Sequence, residues 1–354
     1  MSKVLITGNE ALAEAAVRAG CRRYFGYPIT PQNEIPEYMA RRMPEVGGTF
    51  VQAESELAAI NMVYGAAAVG ERAMTSSSSP GISLMQEALS FMAASELPAV
   101  IVNVQRGGPG LGSISASQAD YFQAVKGGGH GDYKLLVYAP ATLQEIVDLT
   151  VRSFEKADEY RTPVMILGDG VLGQMMEPVE LPEISAAAPD KPWALTGAAA
   201  GKPGKVIRSL FMLPGEDGML ERHNNDLKAK YDRMAEHEVM VELFRMEDAE
   251  IALVAFGTAA RIAKSAVAIV RAEGIRAGLI RPITLFPFPE KTIVQATKHI
   301  GRFLVTEMNL GQMVEDVRLA VNGRAAVSFY GRAGGAILAV EDIVKEIRTA
   351  AGKS

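Results

Sequence analysis

Short β-rich runs alternate with longer helical segments over the first 170 residues, and no other feature constrains the fold as strongly. The β-rich runs lie at 21–28, 48–53, 72–77, 98–104, 134–139 and 162–168. Strands joined by helices form βαβ crossovers, which lie parallel in one sheet with helices on both faces. We therefore predict a mainly parallel α/β domain over residues 1–180.

The same alternation returns after an interruption. Residues 175–205 are rich in Pro, Ala and Gly, which indicates a linker, and a polar helical segment follows at 219–247. Beyond it, strands are predicted at 251–257, 277–283, 302–308 and 326–332, with helices near 259–273, 289–299 and 312–322. The chain is thus predicted to contain a linker or insertion over 181–247 and a second α/β domain over 248–354.

Composition argues against several classes of protein. A net charge of −5 without charge blocks offers no electrostatic basis for nucleic-acid binding, and no apolar run has the length of a membrane span. Cys21 is the single cysteine, so the chain cannot form an internal disulfide or supply the roughly four thiolates of an iron–sulfur cluster. The scattered histidines disfavour a zinc site. The first residues lack a signal-peptide pattern, so we expect a cytoplasmic protein.

Polar residues and glycines cluster where the predicted strands end. Strand by strand, they are Pro28, Ile29 and Thr30; Glu54 and Glu56; Ser79 and Gly81; and Arg106 in a glycine-rich loop. Ligands of open α/β sheets bind at the carboxyl ends of the strands. We therefore expect these loops to line one pocket.

Each of these loops also has a structural interpretation, which the sequence leaves open. Thr30 and the proline after it fit a helix N-cap with proline in the first turn, and Ser79 fits a plain helix start. Glu54 and Glu56 would complement a helix dipole. Arg106 fits either a surface arginine in a mobile loop or an arginine placed for bidentate capture of a carboxylate.

Three other segments are informative. Residues 57–70 carry no charge, which predicts a helix that is apolar all round and lies inside the protein, with acids at its start. Four glycines surround His130, and packing offers no evident reason for them, so we predict a functional loop. Gly168-Asp169-Gly170 resembles the start of a magnesium–diphosphate signature, but no asparagine follows at the required spacing. We therefore predict that Asp169 is a turn residue and not a metal ligand.

Nearly the whole chain resembles one family. The matching stretches are GNEALAEAAVRAGCRRYFGYPITPQ, QAESELAAINMVYGAA, MTSSSSPGISLMQE, VNVQRGGPGLG and SQADYFQAVKGGGHGDY, then FGTAAR, RPITLFPFP and TEMNLGQM. They are similar to the pyrimidine-domain (alpha-type) subunit of multisubunit 2-oxoacid:ferredoxin oxidoreductases, and most similar to that of the branched-chain enzymes that act on 2-oxoisovalerate (3-methyl-2-oxobutanoate). This resemblance implies a thiamine diphosphate pyrimidine-binding domain followed by a transketolase C-terminal-like α/β domain.

The resemblance also implies roles for individual residues. Glu56 would be catalytic, hydrogen-bonding the aminopyrimidine ring of thiamine diphosphate, with Glu54 as the fallback. Thr30 would lie near the substrate, and Arg106 would pair with the carboxylate of the 2-oxoacid. The implied cofactor-binding set is Glu56, Thr30, Ser79 and Gly81, and the possible pocket wall is Pro28, Ile29, Glu54, Asp120 and His130.

Partners are implied by the same resemblance. Thiamine diphosphate would be shared with a diphosphate-binding beta-type subunit, and Mg²⁺ and the iron–sulfur clusters would lie on partner subunits. The implied partners also include an iron–sulfur ferredoxin-like subunit, a gamma-type subunit and ferredoxin itself. The complex would oxidatively decarboxylate a branched-chain 2-oxoacid with coenzyme A, giving acyl-CoA, CO₂ and reduced ferredoxin.

Three alternatives remain at this point. One alternative substrate is 2-oxoglutarate, because the alpha subunit of its enzyme shares most of these motifs, although the sequence shows no second cation for the distal carboxylate. A non-catalytic scaffold subunit is disfavoured because Thr30, Glu56 and Arg106 are all intact. A nucleotide-binding dehydrogenase is weaker still, because GGPGLG lacks the G-x-G-x-x-G spacing and the acidic residue expected on the next strand.

Overall fold

The computed structural model describes residues 3–184, 190–195, 197, 204–211, 215 and 217–353. Within these residues the chain forms a seven-stranded, a five-stranded and a two-stranded β-sheet. None of the helices among them is long and apolar enough to cross a lipid bilayer.

The first half of the chain builds most of the seven-stranded sheet. In chain order its elements are β1 (Val4–Thr7), α1 (Gly8–Arg18), β2 (Arg23–Gly26), α2 (Glu34–Glu45), β3 (Thr49–Gln52), α3 (Glu56–Ala68), β4 (Ala73–Ser77), α4 (Ser79–Ala94), β5 (Ala99–Gln105), α5 (Tyr121–Lys126), β6 (Leu136–Tyr138), α6 (Leu143–Tyr160), β7 (Pro163–Asp169), α7 (Gly170–Gln174) and β8 (Met176–Val179). Strands β2 to β7 pair in parallel, which confirms the mainly parallel sheet and all six predicted strands.

The second half builds the five-stranded sheet. Its elements are α8 (Met219–His237), β9 (Val241–Phe244), β10 (Ile251–Val254), α9 (Gly257–Ala272), β11 (Ala277–Pro282), β12 (Thr284–Phe286), α10 (Glu290–Ala296), β13 (Arg302–Glu307), α11 (Met313–Val321), β14 (Ala326–Gly331) and α12 (Val340–Ala350). The predicted strands β10, β11, β13 and β14 pair in parallel. The unpredicted β12 crosses to the first sheet, where it pairs antiparallel with β6.

Two segments differ from the prediction between the two halves. The polar helix predicted over 219–247 ends at His237, because residues 241–244 form β9 and pair antiparallel with β11. The predicted linker over 175–205 begins with β8, which pairs antiparallel with β1. Within that linker, residues 185–189, 196 and 198–203 lie outside the described residues.

Apolar side chains cover both faces of the first sheet. Along β5, Val100 and Val102 pack with the side chains of α1, α2 and α6, whereas Ile101 packs with those of α3 and α4. The apolar layer beneath α3 and α4 continues without interruption into Val254 and Val305 of the second sheet. The two halves therefore share one core, and the strand ends of the first sheet lie near their junction.

Helix α3 departs from the prediction that it lies inside the protein. One face is buried, and its members are Glu56, Ala59, Ile60, Val63 and Ala67. The opposite face is uncharged but open, with Leu57 46% exposed and the C-cap residue Val69 53% exposed. The prediction was wrong for the single chain, because a helix without charges on its outer face still lies at the surface here.

Candidate active site

Glu56 begins α3 and is directed into the protein. The helix starts there because the Ser55 hydroxyl caps it, accepting a hydrogen bond from the Ala58 amide at 3.2 Å. Glu56 is only 6% exposed, whereas Glu54 lies on the surface. The structure therefore buries Glu56, which the resemblance names as the catalytic residue, and leaves its fallback Glu54 in contact with solvent.

The Glu56 carboxylate lies against the first turn of α4. A methyl group added at Gly81 would overlap both this carboxylate and the hydroxyl of Ser77, so only glycine fits at that position. In the part of the chain that the structure describes, the carboxylate has neither a hydrogen bond nor an ion pair, and the buried hydroxyls of Ser77 and Ser78 have no partner. Buried polar groups without partners mark a place where a ligand's polar groups would be accepted.

Arg106, at the end of β5, is a buried cation that no carboxylate neutralises in the described part of the chain. Its Nη1 donates to the Thr30 carbonyl at 2.9 Å and its Nη2 to the Leu111 carbonyl at 3.1 Å. Its Nε is buried and has no partner. A guanidinium held by two carbonyls with an N–H left over is suited to an anionic ligand.

Asp120 closes a ring of hydrogen bonds beside this arginine. Its Oδ2 accepts from the Ser79 hydroxyl at 2.5 Å and from the Asn103 amide nitrogen at 2.8 Å, and Asn103 Oδ1 accepts from the Ser79 amide at 3.1 Å. The Ser79 hydroxyl in turn accepts from the Arg106 amide at 3.1 Å. Burial raises the pKa of the Asp120 carboxyl, against the opposing effect of the Ser79 and Asn103 donors.

Asn103 and Gln105 were not predicted as site residues. Gln105 accepts a hydrogen bond from the Asp120 amide at 3.1 Å and donates to the Gly168 carbonyl at 3.1 Å. The sequence did contain an indication of these two residues, because their side-chain amides alternate with valine in the otherwise apolar run VIVNVQ. Polar side chains inside a buried strand need partners, so their period of two indicates a polar site at that strand end.

Thr30 lies in a turn before α2 and has an exposed side chain, and the predicted N-cap is wrong because the cap position is Asn33. Pro28 is exposed and Ile29 half-buried beside it.

A cavity of about 430 Å³ adjoins Thr30. Its lining residues are Thr30, Pro31, Asn33, Glu34, Ile114, Ser115, Ala116, Gly170, Val171, Gln174, Gly335 and Ile337. Among the described residues, the lining contains no lysine or arginine, and Glu34 is its single carboxylate.

His130 lies apart from these groups, and two of the four glycines around it, Gly128 and Gly129, pack closely against α4. A Cβ at Gly128 or Gly129 would collide with Gln86 or Ser90 of α4, and the Ser90 hydroxyl donates to the His130 carbonyl at 2.8 Å. Ser90 stands eleven residues along α4 from Ser79, which is roughly 16 Å of helix. The structure therefore does not bring His130 to Glu56 and Arg106.

Asp169 is the N-cap of α7, as a turn residue should be. Its Oδ1 accepts from the amides of Val171 at 2.9 Å and Leu172 at 3.2 Å. The described residues contain no cluster of three or more His, Cys, Asp or Glu side chains that would suit a metal ion.

Comparison with protein-family models gives two matches that together span most of the chain. Residues 14–243 match the model described as "Pyruvate flavodoxin/ferredoxin oxidoreductase, thiamine diP-bdg". Residues 249–343 match "Pyruvate:ferredoxin oxidoreductase core domain II". The family covers both halves of the molecule.

Full-length relatives and a solved structure agree with these matches. The chain is 51% identical to the ketoisovalerate oxidoreductase subunit VorB of Methanothermobacter thermautotrophicus, covering 100% of this chain and 99% of that protein. It is 39% identical to the 2-oxoglutarate synthase subunit KorA of the same organism, covering 97% of each. Among solved structures, 2-oxoglutarate:ferredoxin oxidoreductase from Magnetococcus marinus, with 2-oxoglutarate, coenzyme A and succinyl-CoA bound, superposes with a TM-score of 0.84 at 26% identity. That match covers 99% of this chain and 65% of the solved chain.

Proposed function

The chain belongs to the 2-oxoacid:ferredoxin oxidoreductase family, and from this premise we propose that it is the catalytic alpha-type subunit of such a complex. In this role it binds the 2-oxoacid and the pyrimidine end of thiamine diphosphate. The observations that support this most directly are the Glu56 side chain, which is only 6% exposed and has no partner in the described chain, and the buried Arg106 Nε, which has none either. One suits a hydrogen-bond donor on the cofactor and the other suits a carboxylate.

The residues around Glu56 suit the cofactor. When bound, thiamine diphosphate supplies the carbon nucleophile that attacks the 2-oxo group. Glu56 would accept a hydrogen bond from a pyrimidine nitrogen and exchange a proton with it, and its side chain, only 6% exposed, already faces inward for this role. Gly81 leaves room for the carboxylate, and the free hydroxyls of Ser77 and Ser78 would bond to polar atoms of the ring system.

Arg106 and Thr30 serve the substrate in this proposal. The Arg106 guanidinium is held by the Thr30 and Leu111 carbonyls, so it is oriented before the substrate arrives. Its charge-assisted bond to the substrate carboxylate is strong only because the site is dry. The exposed Thr30 hydroxyl would complete the contact with the 2-oxo end of the substrate.

We propose a branched-chain 2-oxoacid, 2-oxoisovalerate, as the substrate, so that the reaction is that of a 3-methyl-2-oxobutanoate:ferredoxin oxidoreductase. The chain is more similar to the ketoisovalerate subunit than to the 2-oxoglutarate subunit, at 51% against 39% identity. The cavity beside Thr30 adds a physical reason. Its lining carries Glu34 and no cation, so the second carboxylate of 2-oxoglutarate would lack a counter-charge there.

The remaining parts of the reaction belong to other subunits in this proposal. A beta-type subunit would hold the diphosphate and Mg²⁺, and ferredoxin-like and gamma-type subunits would complete the electron path and the coenzyme A reaction. One cysteine cannot ligate an iron–sulfur cluster alone. The open apolar face of α3 beside Glu56 gives a partner a surface to cover. The proposed location remains the cytoplasm.

Purification of the native complex through this chain tests the proposal. The complex is assayed for reduction of an artificial electron acceptor with 2-oxoisovalerate, 2-oxoglutarate and pyruvate, each with and without coenzyme A. We expect iron-bearing partners to co-purify and 2-oxoisovalerate to give the highest kcat/KM. Preference for 2-oxoglutarate would overturn the substrate assignment alone, whereas a chain that purifies without partners and binds no thiamine diphosphate would overturn the catalytic role.

A further inference from the structure

Residues 117–122, which we call the seam segment, lie between the two halves of the molecule. Gln118 directs all its polar groups at the second half. Its amide donates to the Met308 carbonyl at 3.0 Å, and its side-chain oxygen accepts from the Met308 amide at 3.0 Å. Its side-chain nitrogen donates to the Phe256 carbonyl at 2.8 Å, and its own carbonyl accepts from Asn309 at 2.8 Å. The second domain thus fixes this residue in position and rotation.

Gln312 of the second domain holds the rest of the seam segment. Its side-chain nitrogen donates to the Ala119 carbonyl at 2.6 Å, and its side-chain oxygen accepts from the Phe122 amide at 2.8 Å. Glu307 accepts from the Asn309 side chain at 2.9 Å and from the Gln312 amide at 3.3 Å, so both of these contacts share one anchor. Four backbone bonds to the second half, at the Gln118 amide and carbonyl, the Ala119 carbonyl and the Phe122 amide, leave the backbone between Gln118 and Phe122 little freedom.

The seam segment also reaches the substrate-binding arginine. Asp120, at its centre, accepts from the Ser79 hydroxyl, and that hydroxyl accepts from the Arg106 amide. The connection from the second domain to Arg106 therefore consists of hydrogen bonds between buried or half-buried groups throughout. Low dielectric surroundings strengthen each of them.

We propose that the second domain is a positioning element for Arg106, and that Gln118 and Gln312 are its positioning residues. They touch neither cofactor nor substrate, and they act through Asp120 and Ser79. This inference rests on the proposed function, because it takes Arg106 as the group that binds the carboxylate of the 2-oxoacid. It assigns to the second domain a role in substrate affinity.

The test uses the assembled complex with the variant Gln312→Ala, since Gln312 is only half-buried and its loss should leave the fold intact. We expect the KM for the 2-oxoacid to rise roughly fivefold or more while kcat changes by less than about twofold. Gln312→Glu keeps the acceptor for Phe122 but loses the donor to Ala119, so it should give an intermediate KM. Hydrogen exchange of the Arg106 amide should accelerate in the same order.

A matched control removes a different contact between the halves. Arg261 pairs with Glu177 at 2.7 Å and makes no hydrogen bond to the seam segment in the described chain, so Arg261→Gln should leave both the KM and the Arg106 exchange rate unchanged. Equal effects from Arg261→Gln and Gln312→Ala would overturn the inference in favour of general loosening between the halves. An unchanged KM and exchange rate in Gln312→Ala would overturn it directly.

A double variant separates this inference from the proposed function. If Gln312 acts through Arg106, Gln312→Ala added to Arg106→Ala should raise the KM no further. Additive effects would contradict the positioning role. If Arg106→Ala alone leaves the KM unchanged, the substrate role of Arg106 fails, while faster exchange of the Arg106 amide in Gln312→Ala would still report the mechanical connection.

Discussion

Two buried glutamates lie at strand-to-helix junctions in the two halves of the molecule and differ in what surrounds them. Glu56 stands where β3 leads into α3, and Glu307 stands where β13 leads into α11. Both oxygens of Glu307 are used, accepting from the Asn309 side chain and from the amides of Gln312, Met313 and Val314. Glu56 accepts from no group in the described chain.

This difference distinguishes a structural acid from one that needs a ligand. Glu307 completes a helix N-terminus and organises the loop that holds Gln118. Even so, burial raises its pKa, which the surrounding donors oppose. Glu56 contributes no such internal bond in the described chain, so its carboxylate is free to accept a donor from outside the chain. The predictions below use this contrast.

The largest expected effect is on turnover. Glu56→Gln should lower kcat by roughly 10²–10⁴-fold, because it removes the proton acceptor, while the free energy of unfolding of the chain should not fall. Steady-state assays of the assembled complex and urea unfolding measure the two quantities. Glu54→Gln is the matched control and should behave as wild type. A Glu56→Gln complex with most of the wild-type kcat would contradict the catalytic assignment.

The corresponding substitution of Glu307 should affect stability and not turnover. Glu307→Gln replaces one acceptor oxygen by an amide that faces backbone N–H groups, so it should lower the free energy of unfolding by about 2–3 kcal/mol. Urea unfolding of the chain gives the value. Glu315 lies in the first turn of α11, whose amides Glu307 accepts from, but it is exposed, and Glu315→Gln should change stability by less than about 0.5 kcal/mol. Equal effects from the two variants would remove the contrast with Glu56.

Arg106 extends the comparison to a buried cation that has no carboxylate partner in the described chain. Arg106→Ala should raise the KM of the 2-oxoacid by roughly 10–100-fold, which corresponds to about 1.4–2.8 kcal/mol, because a charge-assisted bond is lost. Arg106→Lys keeps the charge but not the two carbonyl contacts, and should recover only part of the affinity. Initial-rate measurements over a range of 2-oxoacid concentrations give the KM of each variant. A rise in KM that is the same for both variants would show that geometry matters more than charge.

The smallest effect concerns the pH dependence of stability. Since the pKa of Asp120 is raised above 3.8 in the folded chain, the folded state holds this proton to higher pH than the unfolded state does. The stability of wild type relative to Asp120→Asn should therefore fall as the pH rises above 3.8, and level off above the folded pKa. Urea titrations of both proteins from about pH 4 to pH 8 measure the difference. A difference that grows with pH would mean that the carboxylate is stabilised, not penalised.

Most of the sheet could be predicted from the sequence because buried parallel strands leave a local signal. Runs such as PAVIVNV are apolar and bounded by turn residues, and each lies between helical patterns. β12 has three residues and pairs with β6, which is distant in sequence. β9 was mistaken for the end of a helix for a related reason, since its partner β11 lies more than thirty residues further on. Pairing of short edge strands is a tertiary property.

The candidate site, like the sheet, could be predicted from the sequence only in part. That polar loops meet at the strand ends follows from parallel topology, and the family resemblance named Glu56, Thr30 and Arg106. The choice between Glu54 and Glu56 depends on where the Ser55 cap starts the helix, which is a matter of one residue. The hydrogen bond from Ser79 to Asp120 joins residues 41 positions apart, and no local sequence pattern predicts it. The role of His130 stays a prediction, because only two of the four glycines around it pack tightly against α4, and the sequence could not distinguish these from glycines that free a functional loop.

The outward face of α3 has a consequence for how the protein is made. Leu57 and the C-cap residue Val69 are exposed on this side of α3, with the polar Asn61 between them and no charge after the first residue. If a partner subunit covers this face, as proposed above, a chain made without that partner leaves these apolar side chains in water. Such a chain should aggregate more readily than the assembled complex, so the protein should be obtained in best yield when it is produced together with the subunit that covers α3.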